Sequence, residues 1–107
     1  DHLAHQGFLE GCSACISGLA NFSPEGVSLI WKHFRDGNIE KSKAAQDFIA
    51  ALRKDLYNLG FSPAVVKRAT VMLGEDVGES RYPTLFSNDD LAAIKEAVAK
   101  YCVVPKL

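Results

Sequence analysis

Two short spacings near the start of the chain could do chemistry. Cys12-x-x-Cys15 offers two thiols, and His2-x-x-His5 offers two imidazoles a few residues earlier. Together they suggest a zinc site or a dithiol redox pair. The local pattern argues against both. Cys12 to Gly18 is small, apolar and uncharged, and it reads as a buried strand between Gly11 and Gly18. Side chains alternate along a strand, so residues three apart face opposite ways. On this reading Cys12 and Cys15 are two buried small hydrophobes, His2 and His5 lie on the surface, and no metal is held.

The elements that would position these residues are mostly helices. Ser23-Pro24-Glu25 places an N-cap serine before a proline and an acid in a first helical turn. Ser62-Pro63 repeats the signal, and Ser87-Asn88-Asp89-Asp90 gives a third start. Gly37, Gly60 and Gly74 mark the matching stops. Between these marks run apolar stripes at helical spacing. They are Val27, Ile30, Trp31 and Phe34; Ala44, Ala45, Phe48, Ile49, Leu52, Leu56 and Leu59; Val65, Val66, Ala69 and Leu73; and Leu91, Ile94, Val98 and Tyr101. The second stripe predicts a helix from about Ile39 to Leu59, with Arg53 and most other charges toward solvent. A first helix over His2 to Leu9 is weaker because Gly7 interrupts it. Glu75 to Phe86 reads as an ordered loop that packs Val77, Tyr82, Leu85 and Phe86. The lone strand has no convincing partner, since Val103-Val104 ends at Pro105. A strand without a ladder leaves its backbone groups unpaired, so its partners are expected outside this chain.

Composition bounds the function. The chain has 107 residues, 48% hydrophobic and 23% charged, which suits one small globular domain and not a disordered segment. Twelve basic and thirteen acidic side chains give a net charge of −1. With no basic cluster, nucleic-acid binding is not expected. No apolar run approaches the ~20 residues of a membrane span. Three cysteines, an odd count, fit a reducing, cytoplasmic setting better than a disulfide scaffold. The start of the sequence lacks both a secretory layout and an initiator Met, so a processed chain or a piece of a longer one is expected.

Ile16-Ser17-Gly18-Leu19-Ala20-Asn21-Phe22-Ser23-Pro24-Glu25 resembles the eighth strand and following turn of the dihydrodipicolinate synthase / N-acetylneuraminate lyase family. Phe34 to Ala44 resembles the turn after its last barrel helix. Ala64 to Ala69 and Gly74 to Gly78 resemble the next helix and its exit. Arg81 to Leu85, then Asp89-Asp90-Leu91, resembles the approach to the final helix. The resemblance implies an α/β architecture, the C-terminal fragment of a (β/α)8 TIM barrel. Residues 1–37 would be the last helix–strand–helix of the barrel and residues 38–107 a helical C-terminal extension, so that this chain is itself mostly α. A complete barrel needs roughly 200–250 residues. The resemblance also implies a parent enzyme that forms a Schiff base with pyruvate or a related 2-keto acid and joins it to, or cleaves it from, an aldehyde.

The catalytic lysine and tyrosine of that family come from earlier strands and have no match here. Tyr57, Tyr82, Tyr101 and the lysines of this chain match no catalytic position. What the resemblance carries over is a wall of the keto-acid pocket: Ile16 at the end of the strand, with Ser17 and Gly18 at the rim. Gly18 is expected to permit a tight backbone turn. No metal or organic cofactor is implied, and a homo-oligomer is. Trp31 and Phe34 are expected to pack on the barrel or the long helix, and His33 to face solvent. Arg81-Tyr82 reads as part of a structural loop, and Lys41, Lys43, Arg53 and Lys54 as a solvated face. A different class of function also fits the stripes, namely a self-standing, non-catalytic helical interaction module. In that case Cys12 to Gly18 would be loop or helix.

Overall fold

The computed structural model describes residues 1–81 and 84–107. Among these the chain is mostly helical: α1 (Ala4–Leu9), a 3-10 turn (Leu19–Asn21), α2 (Pro24–Arg35), α3 (Ile39–Tyr57), α4 (Ser62–Met72) and α5 (Asn88–Tyr101). The long helix α3 is the spine. Its Ala45, Ile49, Leu52 and Leu56 are fully buried, as the stripe predicts. Leu19 and Ile30 meet them from the 3-10 turn and α2, and Val65, Ala69 and Ile94 from α4 and α5.

The closest packing is between α2 and α3, which form a helical hairpin. Gly26 makes this possible. A Cβ there would lie 2.9 Å from Ile49 Cδ1 and 2.7 Å from Ser23 Oγ. The turn between the helices is short and fully committed. Gly37 adopts a φ of 79° and Asn38 N–H donates back to His33 C=O at 2.8 Å, the bonding of a Schellman cap. Asn38 Oδ1 then accepts from Lys41 N–H at 3.1 Å and so caps α3 as well.

Helix starts match the sequence unevenly. Ser87 and Asp90 form a reciprocal capping box at α5. Ser23 precedes α2 as expected, but its hydroxyl caps nothing. It turns under the first turn of α2 toward the space left by Gly26, and it finds no partner among the described residues. Before α4 the cap position falls on Phe61, one residue earlier than expected.

The expected buried strand is corrected. No strand forms among the described residues, and residues 12–17 run as irregular chain. Cys12, Cys15 and Ile16 are exposed, Ile16 completely. The reason is the one that made the strand an orphan: among the described residues nothing supplies a ladder. The 75–86 loop also packs less than expected, with Val77 and Leu85 exposed and Phe86 against the core. Arg68 holds it down by a two-pronged bond to Glu79 at 2.8 and 3.0 Å. Tyr82 lies outside the described residues. Among the described residues no helix is long and apolar enough to cross a membrane.

Gly26→Ala is expected to lower stability. Helix propensity favours alanine by up to about 1 kcal/mol, but overpacking against a buried Ile49 costs about 1–3 kcal/mol. A urea midpoint that rises in the variant would contradict the close approach at Gly26.

Candidate functional site

Ile16, Ser17 and Gly18 lie together where the irregular segment enters the 3-10 turn. Ile16 points into solvent, and the Ser17 hydroxyl is doubly committed. It donates to Asp1 Oδ1 and accepts from Ala20 N–H at 3.2 Å. The other Asp1 carboxylate oxygen accepts from the Tyr57 hydroxyl at 3.0 Å. Gly18 adopts φ −65° and ψ −36°, which any residue can take. The expected need for a tight glycine turn is therefore corrected. What the missing side chain provides is space, since a Cβ at Gly18 would stand 3.1 Å from the Tyr57 hydroxyl.

Gly18 and Tyr57 border a groove of about 810 Å³ that also takes in Phe22, Val66, Lys67 and Thr70. The volume is of the order that holds small ligands. The ring of Tyr57 is covered on one face by Arg53, whose guanidinium carbon lies 4.9 Å from the ring centre. Arg53 is thus half-buried and occupied, not simply solvent-facing.

A second polar cluster holds α1 onto the hairpin. His5 is 5% exposed, against the expectation of a surface histidine. Its Nδ1 lies 2.7 Å from Ser42 Oγ, and Ser42 donates its only proton to Ile30 C=O at 2.8 Å. Ser42 can then only accept, so the His5 proton resides on Nδ1. A serine–histidine pair at this distance invites a nucleophilic reading. The proton directions oppose it, because the imidazole donates where a general base must accept, and Ser42 is fully buried. Gln46 completes the clamp, accepting from His5 N–H at 2.8 Å and donating to Asp1 C=O at 3.0 Å.

The remaining expectations divide. Trp31 packs edge-on to Phe8 of α1 at 4.9 Å between ring centres, and Phe34 lies 5.7 Å from Phe8. Their partner is therefore α1, the helix that Gly7 had made weak in the sequence. His33 is half-buried, with Nε2 3.0 Å from Leu107 C=O. Among the described residues no three His, Cys, Asp or Glu side chains gather as metal ligands. The polar latch between α3 and α5 was not foreseen. There the Tyr101 hydroxyl and Lys100 both reach Asp55, the lysine at 3.3 Å.

In that latch, the hydrogen bond from Tyr101 is the main force holding the Asp55 carboxyl below its ordinary 3.8, partly opposed by desolvation and aided by Lys100. Burial, with the neighbouring carboxylate, raises the Tyr101 hydroxyl. A depressed carboxylate contributes stability above its unfolded value and loses it as pH falls through the folded one. Tyr101→Phe is therefore expected to cost about 1 kcal/mol at neutral pH. The gap to the parent should narrow as pH drops below about 4, where carboxylates protonate. Urea unfolding at both pH values reads this, and a gap that widens in acid would refute the latch. Ser42→Ala should cost about 1–3 kcal/mol by stranding the buried His5 N–H. An unchanged unfolding midpoint would show that the clamp carries no stability.

Comparison with known proteins adds to this geometry. No family model matches the chain, and no solved structure matches it. Curated relatives do. An uncharacterised DapA-like lyase of Halobacterium salinarum is 33% identical over 101 residues, 91% of this chain and 32% of the relative. A 4-hydroxy-tetrahydrodipicolinate synthase of Caldicellulosiruptor bescii is 33% identical over 92 residues, 85% of this chain and 31% of its own length. One of Acetivibrio thermocellus is 30% identical over 95 residues, 88% and 32% respectively. The chain thus spans about a third of the length of the curated relatives it matches. Over most of its length the chain is thus similar to proteins named DapA-like lyase or 4-hydroxy-tetrahydrodipicolinate synthase, of which it corresponds to one part.

Proposed function

We propose that this chain is the C-terminal portion of a Schiff-base-forming lyase or synthase that condenses pyruvate or a related 2-keto acid with an aldehyde, or cleaves the product. The observation that carries the reading is the similarity of 85–91% of this chain to proteins about three times as long, and the segment 12–17 is compatible with it. That segment is uncharged and irregular, it has no ladder partner among the described residues, and its Ile16 is fully exposed. Such a segment suits a barrel strand whose neighbours come from the rest of a longer protein. Relatives three times as long, two of them named as synthases, support the same reading. Residues 1–37 then complete the barrel and residues 38–107 form the extension.

On this reading Ile16, Ser17 and Gly18 form a wall of the keto-acid pocket. Chemistry in such barrels sits at the C-terminal ends of the strands. The lysine amine attacks the keto carbon and water leaves as the imine forms. The lysine and the proton-relaying tyrosine come from earlier strands of the parent. This chain's own part is to shape the pocket and keep water out of it. The parent is expected to be a cytoplasmic homo-oligomer.

One feature favours the self-standing helical module instead. The chain closes a fully buried core by itself around Ile49, Leu52 and Leu56, and residues 12–17 are loop, as that reading requires. A trapping experiment separates the two. Intact mass of the source protein is measured, then pyruvate and borohydride are added. Hydride reduces the imine to a stable secondary amine, and a parent about three times this length is expected to gain one adduct. A native chain of 107 residues that gains none would sink the lyase reading in favour of the module.

A further inference from the structure

We infer that Tyr57, acting through Asp1, is a positioning residue for the rim of the pocket at Ile16–Gly18; the inference rests on the lyase reading above. Three observations converge on it. The Tyr57 hydroxyl donates to one oxygen of Asp1 while the other oxygen takes the Ser17 hydroxyl, so one carboxylate ties the end of α3 to the rim. Gly18 has an ordinary helical backbone, yet a side chain there would press on that same hydroxyl at 3.1 Å. The glycine thus accommodates the tyrosine and not the turn. Finally, Arg53 covers one face of the ring, its guanidinium carbon 4.9 Å from the ring centre.

The consequence is a division of labour along the chain. Ser17 cannot donate its hydroxyl to a ligand without giving up Asp1, because its single proton is in use. The rim therefore works through its position, and that position is set from α3. An extension helix with no atom in the chemistry would tune how well the pocket closes on a keto acid.

The test uses the full-length parent that carries this segment, with pyruvate as the probe and borohydride trapping as the readout. Tyr57→Phe keeps the ring and its stacking and removes only the tie. It is expected to raise the half-saturating pyruvate concentration about fivefold, the equivalent of one ordinary hydrogen bond. Adduct yield at saturating pyruvate should stay at the parental value, while the melting temperature falls by no more than the loss of one hydrogen bond allows. Gly18→Ala, which displaces the hydroxyl, should raise half-saturation too, and in the double variant the two effects should combine to less than their product. The Gly18→Ala variant carries the test if Tyr57→Phe fails to fold. Parental half-saturation in both variants, with a parent that traps pyruvate, would overturn the positioning role and leave the lyase reading standing. A parent that traps nothing would overturn both.

Discussion

The structure depends on one polar stripe along α3. Ser42, Gln46, Arg53 and Tyr57 recur at spacings of four, seven and four, so they share a helical face. The face opposite solvent would normally be apolar, and on α3 it is, through Ala45, Ile49, Leu52 and Leu56. The polar stripe runs beside that core and captures the segment before α2. His5, Asp1 and Ser17 are all held by it, directly or through Asp1. Buried polar groups are costly unless every donor and acceptor is used. Here Ser42, Gln46 and both oxygens of the Asp1 carboxylate each have partners, which favours one docking of α1.

Close packing of α2 on α3 is what makes that stripe reachable. A glycine at position 26 lets the two helices approach until Ile49 fills the missing side chain's place. Ile30 C=O then comes within reach of Ser42, and Phe34 and Trp31 are turned to receive Phe8. The short helix α1 has only six residues and would not persist alone. It is held by an aromatic cluster on one side and by Ser42 and Gln46 on the other.

What the sequence revealed follows the range of each signal. Helix α3 was legible because its stripe is long and its spacing regular. The end of α2 and the start of α5 were legible because Gly37 and the Ser87–Asp90 box act within a few residues. Ser23 misled because its partner is the void at Gly26, which is a property of two packed helices. His5 misled for the same reason, since its partners lie 37 and 41 residues away. Residues 12–17 carry strand composition, but composition cannot form a ladder, and none forms among the described residues. At the candidate site, Ile16 to Gly18 were named from a resemblance alone. The roles of Asp1 and Tyr57 could not be read, because hydrogen-bond partners across 16 and 56 residues leave no local mark.

The α2–α3 turn is sensitive to its length. Asn38 closes one helix with its backbone and opens the next with its side chain, so the turn contains no idle residue. A residue inserted here would separate the bond to His33 from the cap on Lys41, which one asparagine now makes together. Length variation, usually tolerated in surface loops, would therefore cost this turn the close of one helix or the start of the next.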